Sequence, residues 1–206
     1  MQLLLLRHGQ PARLKGGHQV DPPLTELGHA QAEWLSRRMA EEKPDVLISS
    51  PLTRALQTGA PTADKLGLPI QEIADIAEVD GDANEGGYIH IEDIRAQGGD
   101  AWAAFLRDPI GTMGGDEAHF KQRVLRGFSA ILEDYKDAET VAVFTHGFPI
   151  NALLSHVLGL TSISRFIPAH GSITRLGGRS TERMVVISVN ETGHFPVHGL
   201  SVEGRS

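Results

Sequence analysis

The side chains that could do chemistry in this sequence form a short list. None of the 206 residues is cysteine, so thiolate nucleophiles, disulfides and cysteine-based zinc sites are excluded. Three clusters remain: Arg7-His8-Gly9, Ser49-Ser50-Pro51-Leu52-Thr53-Arg54 and Thr145-His146-Gly147. Guanidinium groups offer forked donors, and imidazoles offer a nucleophile or a charge that can be switched. Backbone N–H groups of a helix beginning near Gly147 would add further donors. Gathered at one point, these groups suit a phosphate dianion, and the chemistry they point to is phosphoryl transfer. That reaction needs a nucleophile, compensation of charge on the equatorial oxygens, and an acid for the departing alkoxide. The other histidines show no convincing metal-ligand spacing and HExxH does not occur, so neither a metal nor a cofactor is expected.

Groups so distant in sequence meet only if the fold carries them together. Each cluster follows an apolar run, Leu3 to Leu6, Val46 to Ile48 or Val141 to Phe144, that reads as a strand buried on both faces. Helical patterns separate them. Leu24-Thr25-Glu26-Leu27-Gly28 opens one, with Leu27, Ala30, Trp34, Leu35 and Met39 at helical spacing and Pro44 at its end. Another follows Pro51, with Ser50 as cap, Pro51 in the first turn, Leu52, Leu56, Ala60 and Ala63 facing inward, and a kink or irregularity at Pro61. Leu68 to Ile73 reads as a short strand, and Pro149 to Leu158 as a helix. The clearest amphipathic helix is Asp116 to Tyr135, with Phe120, Val124, Leu125, Phe128, Ile131, Leu132 and Tyr135 in one stripe. Ser172 to Leu176 and Met184 to Val189 read as a closing hairpin on the sheet edge. Strands alternating with helices define an α/β protein, a three-layer αβα sandwich around a mostly parallel sheet. Right-handed crossovers place the carboxyl ends of parallel strands on one edge, so the three clusters converge there.

Length fits a single domain over residues 1–206, with a small insertion at about 74–115 lying over the active site. The insertion holds the acidic, glycine-containing run Glu78 to Gly87 and two short helical stretches, His90 to Ala96 and Asp100 to Leu106. The loop Gln10 to Pro23 has few core-forming residues and reads as a lid, whose Arg13, Lys15 and His18 either reach substrate or remain solvated. Trp34 and Trp102 read as core or near-core residues rather than a binding platform. A formal charge of −7 and the lack of a Lys/Arg run argue against a nucleic-acid surface. No stretch approaches membrane-spanning length and the Leu run is too short for a signal-peptide core, so a cytoplasmic enzyme acting on a small phosphorylated substrate is expected. A homodimer through the sheet edge is compatible with the sequence but not specified by it.

Four blocks, Arg7-His8-Gly9, Leu24-Thr25-Glu26-Leu27-Gly28, Ser49 to Thr58 and Thr145-His146-Gly147, together resemble the histidine phosphatase superfamily, also called the phosphoglycerate mutase-like family. The resemblance runs in matching order to about residue 158. It implies a phosphoglycerate mutase-like fold, with His8 as the nucleophile that becomes phosphohistidine, and Arg7, Arg54 and His146 holding the phosphoryl oxygens. It also implies an acid early in the segment after the third strand, where Glu78 is the best match; Glu85, in Asn84-Glu85-Gly86-Gly87, resembles a second block that is usually structural. The family often carries Arg before that Glu, whereas this chain has Ala77. Dedicated mutases carry a Trp-Asn pair after Arg-His-Gly and a longer central insertion, whereas here Pro11-Ala12-Arg13-Leu14 follows Gln10. The expectation is therefore a metal-independent phosphatase of small phosphomonoesters. Mutase-type transfer and a non-catalytic phosphate-binding regulator are the alternatives.

Overall fold

The computed structural model describes residues 1–13, 21–79 and 89–196. Six strands form one sheet: β1 (Gln2–Arg7), β2 (Val46–Ser49), β3 (Ile70–Glu72), β4 (Thr140–Thr145), β5 (Ile173–Gly177) and β6 (Val185–Glu191), in spatial order β3-β2-β4-β1-β5-β6. The first four are parallel, and β5 and β6 run antiparallel at one side, as the expected hairpin. Among the described residues, seven α-helices connect them: α1 (Glu26–Glu42), α2 (Thr53–Leu66), α3 (Ile91–Ala96), α4 (Gly99–Arg107), α5 (Pro109–Thr112), α6 (Glu117–Asp134) and α7 (Gly147–Leu158).

The period-two geometry of a strand explains the unbroken leucine run. Leu3 and Leu5 enter one core with Val141, Val143, Phe120, Phe128 and Ile150, while Leu4 and Leu6 enter the other with Leu35, Met39, Leu47 and Phe144. Each fully buried leucine contributes about 2 kcal/mol relative to an exposed one. Helices α1 and α2 cover the second face. The first face is covered by α6 and α7, with Ile94, Phe105 and Ile110 of α3, α4 and α5 joining the same core. This is the αβα sandwich the patterning predicts. None of the described helices is long and apolar enough to cross a membrane.

Helix α2 departs from expectation in three ways. Its N-terminus is capped not by Ser50 but by Asp21, whose carboxylate accepts from the Thr53 N–H at 2.9 Å and from Thr53 Oγ1 at 2.6 Å. Its buried face is Arg54, Ala55, Thr58, Gly59 and Thr62; Leu52, Leu56 and Ala63 are half-buried and Ala60 is exposed. The reason is close approach: a Cβ on Gly59 would lie 3.0 Å from the Phe144 ring, so the small side of the helix meets the sheet. Finally, α2 runs as one element through Pro61. The loss of one backbone donor there does not end the helix, because packing rather than propensity carries most helical stability.

Candidate active site

Parallel pairing of β1 with β4 aligns Arg7 with Thr145. His8 and His146 each follow by one residue, and their ring centroids lie 5.1 Å apart at 54°. The His8 N–H donates to the Thr145 carbonyl at 3.0 Å, extending the ladder into the site. From β2, the chain turns through Ser50 into α2, whose first turn delivers Arg54, fully buried and 3.6 Å from Asp21. The expected convergence of three strand ends is therefore present.

His8 is almost completely buried, and its Nδ1 lies 2.7 Å from the Gly9 carbonyl. A carbonyl only accepts, so Nδ1 carries the hydrogen and the lone pair of the neutral ring is on Nε2. Burial pushes the His8 pKa well below its ordinary 6.5, and the positive potential of Arg54, His146, His170 and Arg7 pushes the same way. The ring is thus held neutral near pH 7, the form in which an imidazole attacks. Gly9 is held in turn, its N–H donating to Thr58 Oγ1 at 2.9 Å. It also has no room for a side chain, since a Cβ would lie 2.5 Å from the Gly28 carbonyl oxygen.

His146 places Nε2 2.8 Å from Ser50 Oγ, which also accepts from the Leu52 N–H at 3.3 Å just before α2. Its pKa is also held well below 6.5, first by burial and then by Arg54, Arg7 and Arg123. Arg7 donates from Nη1 to the Pro168 carbonyl at 2.6 Å. Gly147 begins α7 close to the reacting groups: a Cβ there would lie 3.7 Å from Arg7 Nε and 4.0 Å from Glu78 Oε2. The helix start offers fewer free donors than expected. The Phe148 N–H donates to Glu78 Oε2 at 3.2 Å and Pro149 has no N–H, so the Gly147 amide is what this turn retains.

Glu78 lies beside Arg7, His8 and Gly147 in the same pocket and is mostly buried. Two anchors hold its segment. Thr145 Oγ1 donates to the Ile76 carbonyl at 2.7 Å. Arg123 of α6 donates from Nη1 to the Asp75 carbonyl at 2.8 Å, and from Nη2 to the carbonyls of Ala77 at 3.1 Å and Glu78 at 3.3 Å. No arginine occupies position 77, and a guanidinium reaches the same backbone from another helix. Glu85 lies outside the described residues, as do Lys15 and His18. Arg13 pairs with Asp93 at 2.6 Å, on the exposed surface.

Three contributors escaped the sequence reading. His170 is buried with its ring 5.3 Å from His8. Its signal was available: His170-Gly171 precedes β5, and an antiparallel strand begins on the edge where its neighbours end. Arg123 was also legible, because position 123 falls in the buried stripe with Phe120, Val124 and Gly127. Trp102, expected in or near the core rather than as a binding platform, packs against that core but also lines the pocket, stacked on Phe105 at 5.4 Å.

An αβα sandwich carrying buried arginines and histidines and one carboxylate at the carboxyl edge of its parallel strands belongs to the phosphoryl-handling class of α/β proteins. Comparison with known proteins makes the class particular. The family model of the histidine phosphatase superfamily (branch 1) matches residues 3–192. The chain belongs to that superfamily. It is 26% identical over 205 residues to phosphoserine phosphatase 1 of Hydrogenobacter thermophilus, covering 95% of this chain and 94% of that protein. It is 32% identical over 171 residues to a 2,3-bisphosphoglycerate-dependent phosphoglycerate mutase of Methylobacterium, covering 78% of this chain and 82% of the relative. The solved structure of a mycobacterial glucosyl-3-phosphoglycerate phosphatase superposes with a TM-score of 0.75 at 22% identity, covering 92% of this chain and 98% of that one.

Proposed function

We propose that this protein is a metal-independent phosphatase that hydrolyses phosphomonoesters through a phosphohistidine on His8. His8 Nε2 attacks phosphorus, the ester P–O bond breaks, and Glu78 gives its proton to the departing oxygen. Water then attacks the phosphoryl group, Glu78 takes the proton, and the P–N bond breaks to release phosphate and neutral His8. Arg7, Arg54, His146 and the Gly147 amide compensate the charge on the oxygens. The observation that carries the reading is the His8 tautomer: the Gly9 carbonyl at 2.7 Å leaves the lone pair on Nε2, and burial keeps the ring neutral. Phosphatases among both the relatives and the solved structures support it.

The sequence lacks cysteine, which suits a cytoplasmic setting, and its acidic balance suits a small phosphorylated substrate rather than nucleic acid. Residues 1–206 are taken as one domain, with the 74–115 segment serving the site through Glu78 at one end and Trp102 and Phe105 further along. Single-turnover labelling, quenched in alkaline detergent because the P–N bond is lost in acid, tests the mechanism. A base-stable, acid-labile phosphoryl label is expected in the wild type and not in His8→Ala; an unlabelled wild type that still turns over would rule out the covalent step.

A second reading, mutase-type transfer, draws on the phosphoglycerate mutases at about a third identity. Turnover of 3-phosphoglycerate to its isomer with little phosphate release would place it first.

A further inference from the structure

The phosphoryl-binding groups occupy only one end of the pocket. Beyond Arg7, His8 and Glu78 the cavity opens into a chamber walled by Trp102, Phe105, Met113, Phe148, Phe166 and Ile167, with three further aliphatic side chains. The pocket is open to solvent at its mouth, where a substrate's organic part can extend along the wall. Trp102 stacks on Phe105 at 5.4 Å and Phe105 meets Phe148 at 6.2 Å, so the aromatic rings form a continuous row. Ile167 is 66% exposed at the rim, an unusual placement for a large aliphatic residue beside a polar reaction centre.

The chamber's polar side chains are already committed. Asn151 donates to the carbonyls of Gly147 at 2.9 Å and Phe166 at 3.0 Å, and accepts from the Phe166 N–H at 3.0 Å. Ser164 Oγ lies 3.0 Å from Ser162 Oγ and 3.3 Å from the Leu106 carbonyl. Arg95 lies over the Trp102 ring at 5.9 Å but does not line the chamber. Among the described residues, then, no charged side chain beyond the reacting end faces the part of the substrate that leaves.

That wall discriminates by chemistry. Phosphoserine would bring an ammonium and a carboxylate into it, phosphoglycerate a carboxylate, and a sugar phosphate a ring of hydroxyls. Each polar group loses water there and needs a partner the wall does not supply. We infer that the preferred substrate is the phosphomonoester of a bulky apolar alcohol, best an aromatic one, whose organic part lies against the Trp102–Phe105–Phe148 row while its phosphate sits at His8. This inference rests on the phosphatase reading and adds a substrate class to it.

The test compares kcat/KM for 2-phenylethyl phosphate with that for ethyl phosphate, O-phosphoserine, 3-phosphoglycerate and glucose 6-phosphate, with 4-nitrophenyl phosphate as the activated reference. The first five leave as alkoxides, so leaving-group chemistry varies little and differences report the wall. An advantage of roughly 10- to 100-fold for 2-phenylethyl phosphate over each of the others is expected from the apolar area buried. That advantage over ethyl phosphate should shrink several-fold in Trp102→Ala and in Ile167→Ser, the latter at an exposed position that tolerates change. Equal or faster turnover of the polar esters overturns the substrate class and leaves the phosphatase reading standing. An undiminished advantage in both variants overturns the assignment to this wall, and failure to hydrolyse any ester, 4-nitrophenyl phosphate included, overturns both readings.

Discussion

Two clusters of charge lie in this molecule, and they differ in how their charges are balanced. At the carboxyl edge of the sheet, Arg7, Arg54, His8, His146 and His170 gather with Glu78, while Asp21 stands 3.6 Å from Arg54. Midway along β5, Arg175 donates to both oxygens of Glu42, at 2.6 and 2.8 Å, and from Nε to Glu191 at 2.6 Å. Arg38 reaches Glu42 as well, at 2.6 Å. The Arg175 cluster is closed: its cations and carboxylates answer one another, and the Arg175 pKa is raised by the Glu42 hydrogen bond. At the sheet edge, both histidines nearest the arginines have their protonation suppressed, first by burial and then by the guanidinium charges. The same residue type thus ties strands to helices in one place and creates a positive potential with capacity for an anion in the other.

The sharpest way to probe this difference is to remove the edge's principal carboxylate. Glu78→Gln should lower kcat/KM for alkyl phosphates roughly 100- to 10,000-fold, with a much smaller loss on 4-nitrophenyl phosphate, whose leaving group needs little protonation. A small and equal loss on both would move the acid elsewhere, Glu85 being the alternative.

A matched pair of arginine substitutions comes next. Arg175→Met leaves Glu191 without its guanidinium and Glu42 with Arg38 alone, and should lower stability by about 2 kcal/mol, seen as a melting point about 4–8 °C lower, without a comparable change in kcat. Arg54→Met should instead collapse turnover, because the reacting edge loses a fully buried guanidinium. Equal losses of kcat in the two variants would erase the distinction.

The smallest effect separates the clusters by pH. A histidine whose folded pKa is depressed binds protons more readily in the unfolded chain, so stability is full above 6.5 and falls as pH drops below that value. Glu42 is lowered chiefly by the Arg175 hydrogen bond, against the opposing effect of burial. For Glu191 burial works upward, and the bonds from Arg175 and Ser188 outweigh it. Those carboxylates contribute stability above 4.5 that is lost as pH falls through their lower folded values. Thermal unfolding without phosphate should therefore soften first between about pH 6.5 and 5, and His8→Ala should make that segment shallower, with His146 and His194 supplying what remains. Arg175→Met should flatten only the more acidic one.

Much of this architecture was legible because its signals are periodic. The leucine run of β1 and the α6 stripe each report burial directly, and strand ends carrying His-Gly marked the reacting edge. What escaped has a common cause, in that contacts set by tertiary approach leave no repeat. Gly59 lets α2 turn its small face to Phe144, overriding the apolar pattern that favoured Leu56 and Ala60. Asp21 caps α2 from a distant loop. The position of Arg123 in the buried stripe was legible, but its partners are carbonyls of another segment, which no side-chain pattern reveals. His170 required extending the strand-end argument to an antiparallel strand.

The alignment of Arg7 with Thr145 has a further consequence. The separation of His8 from His146 is inherited from the repeat of the polypeptide itself, so it cannot be tuned by altering side chains. A one-residue deletion in either strand would invert its leucine or valine faces and displace its histidine in the same stroke. The reacting pair and the two cores are therefore a single specification, while the walls around the leaving group, supplied by α4, the start of α7 and residues 164–168, can be redrawn one side chain at a time.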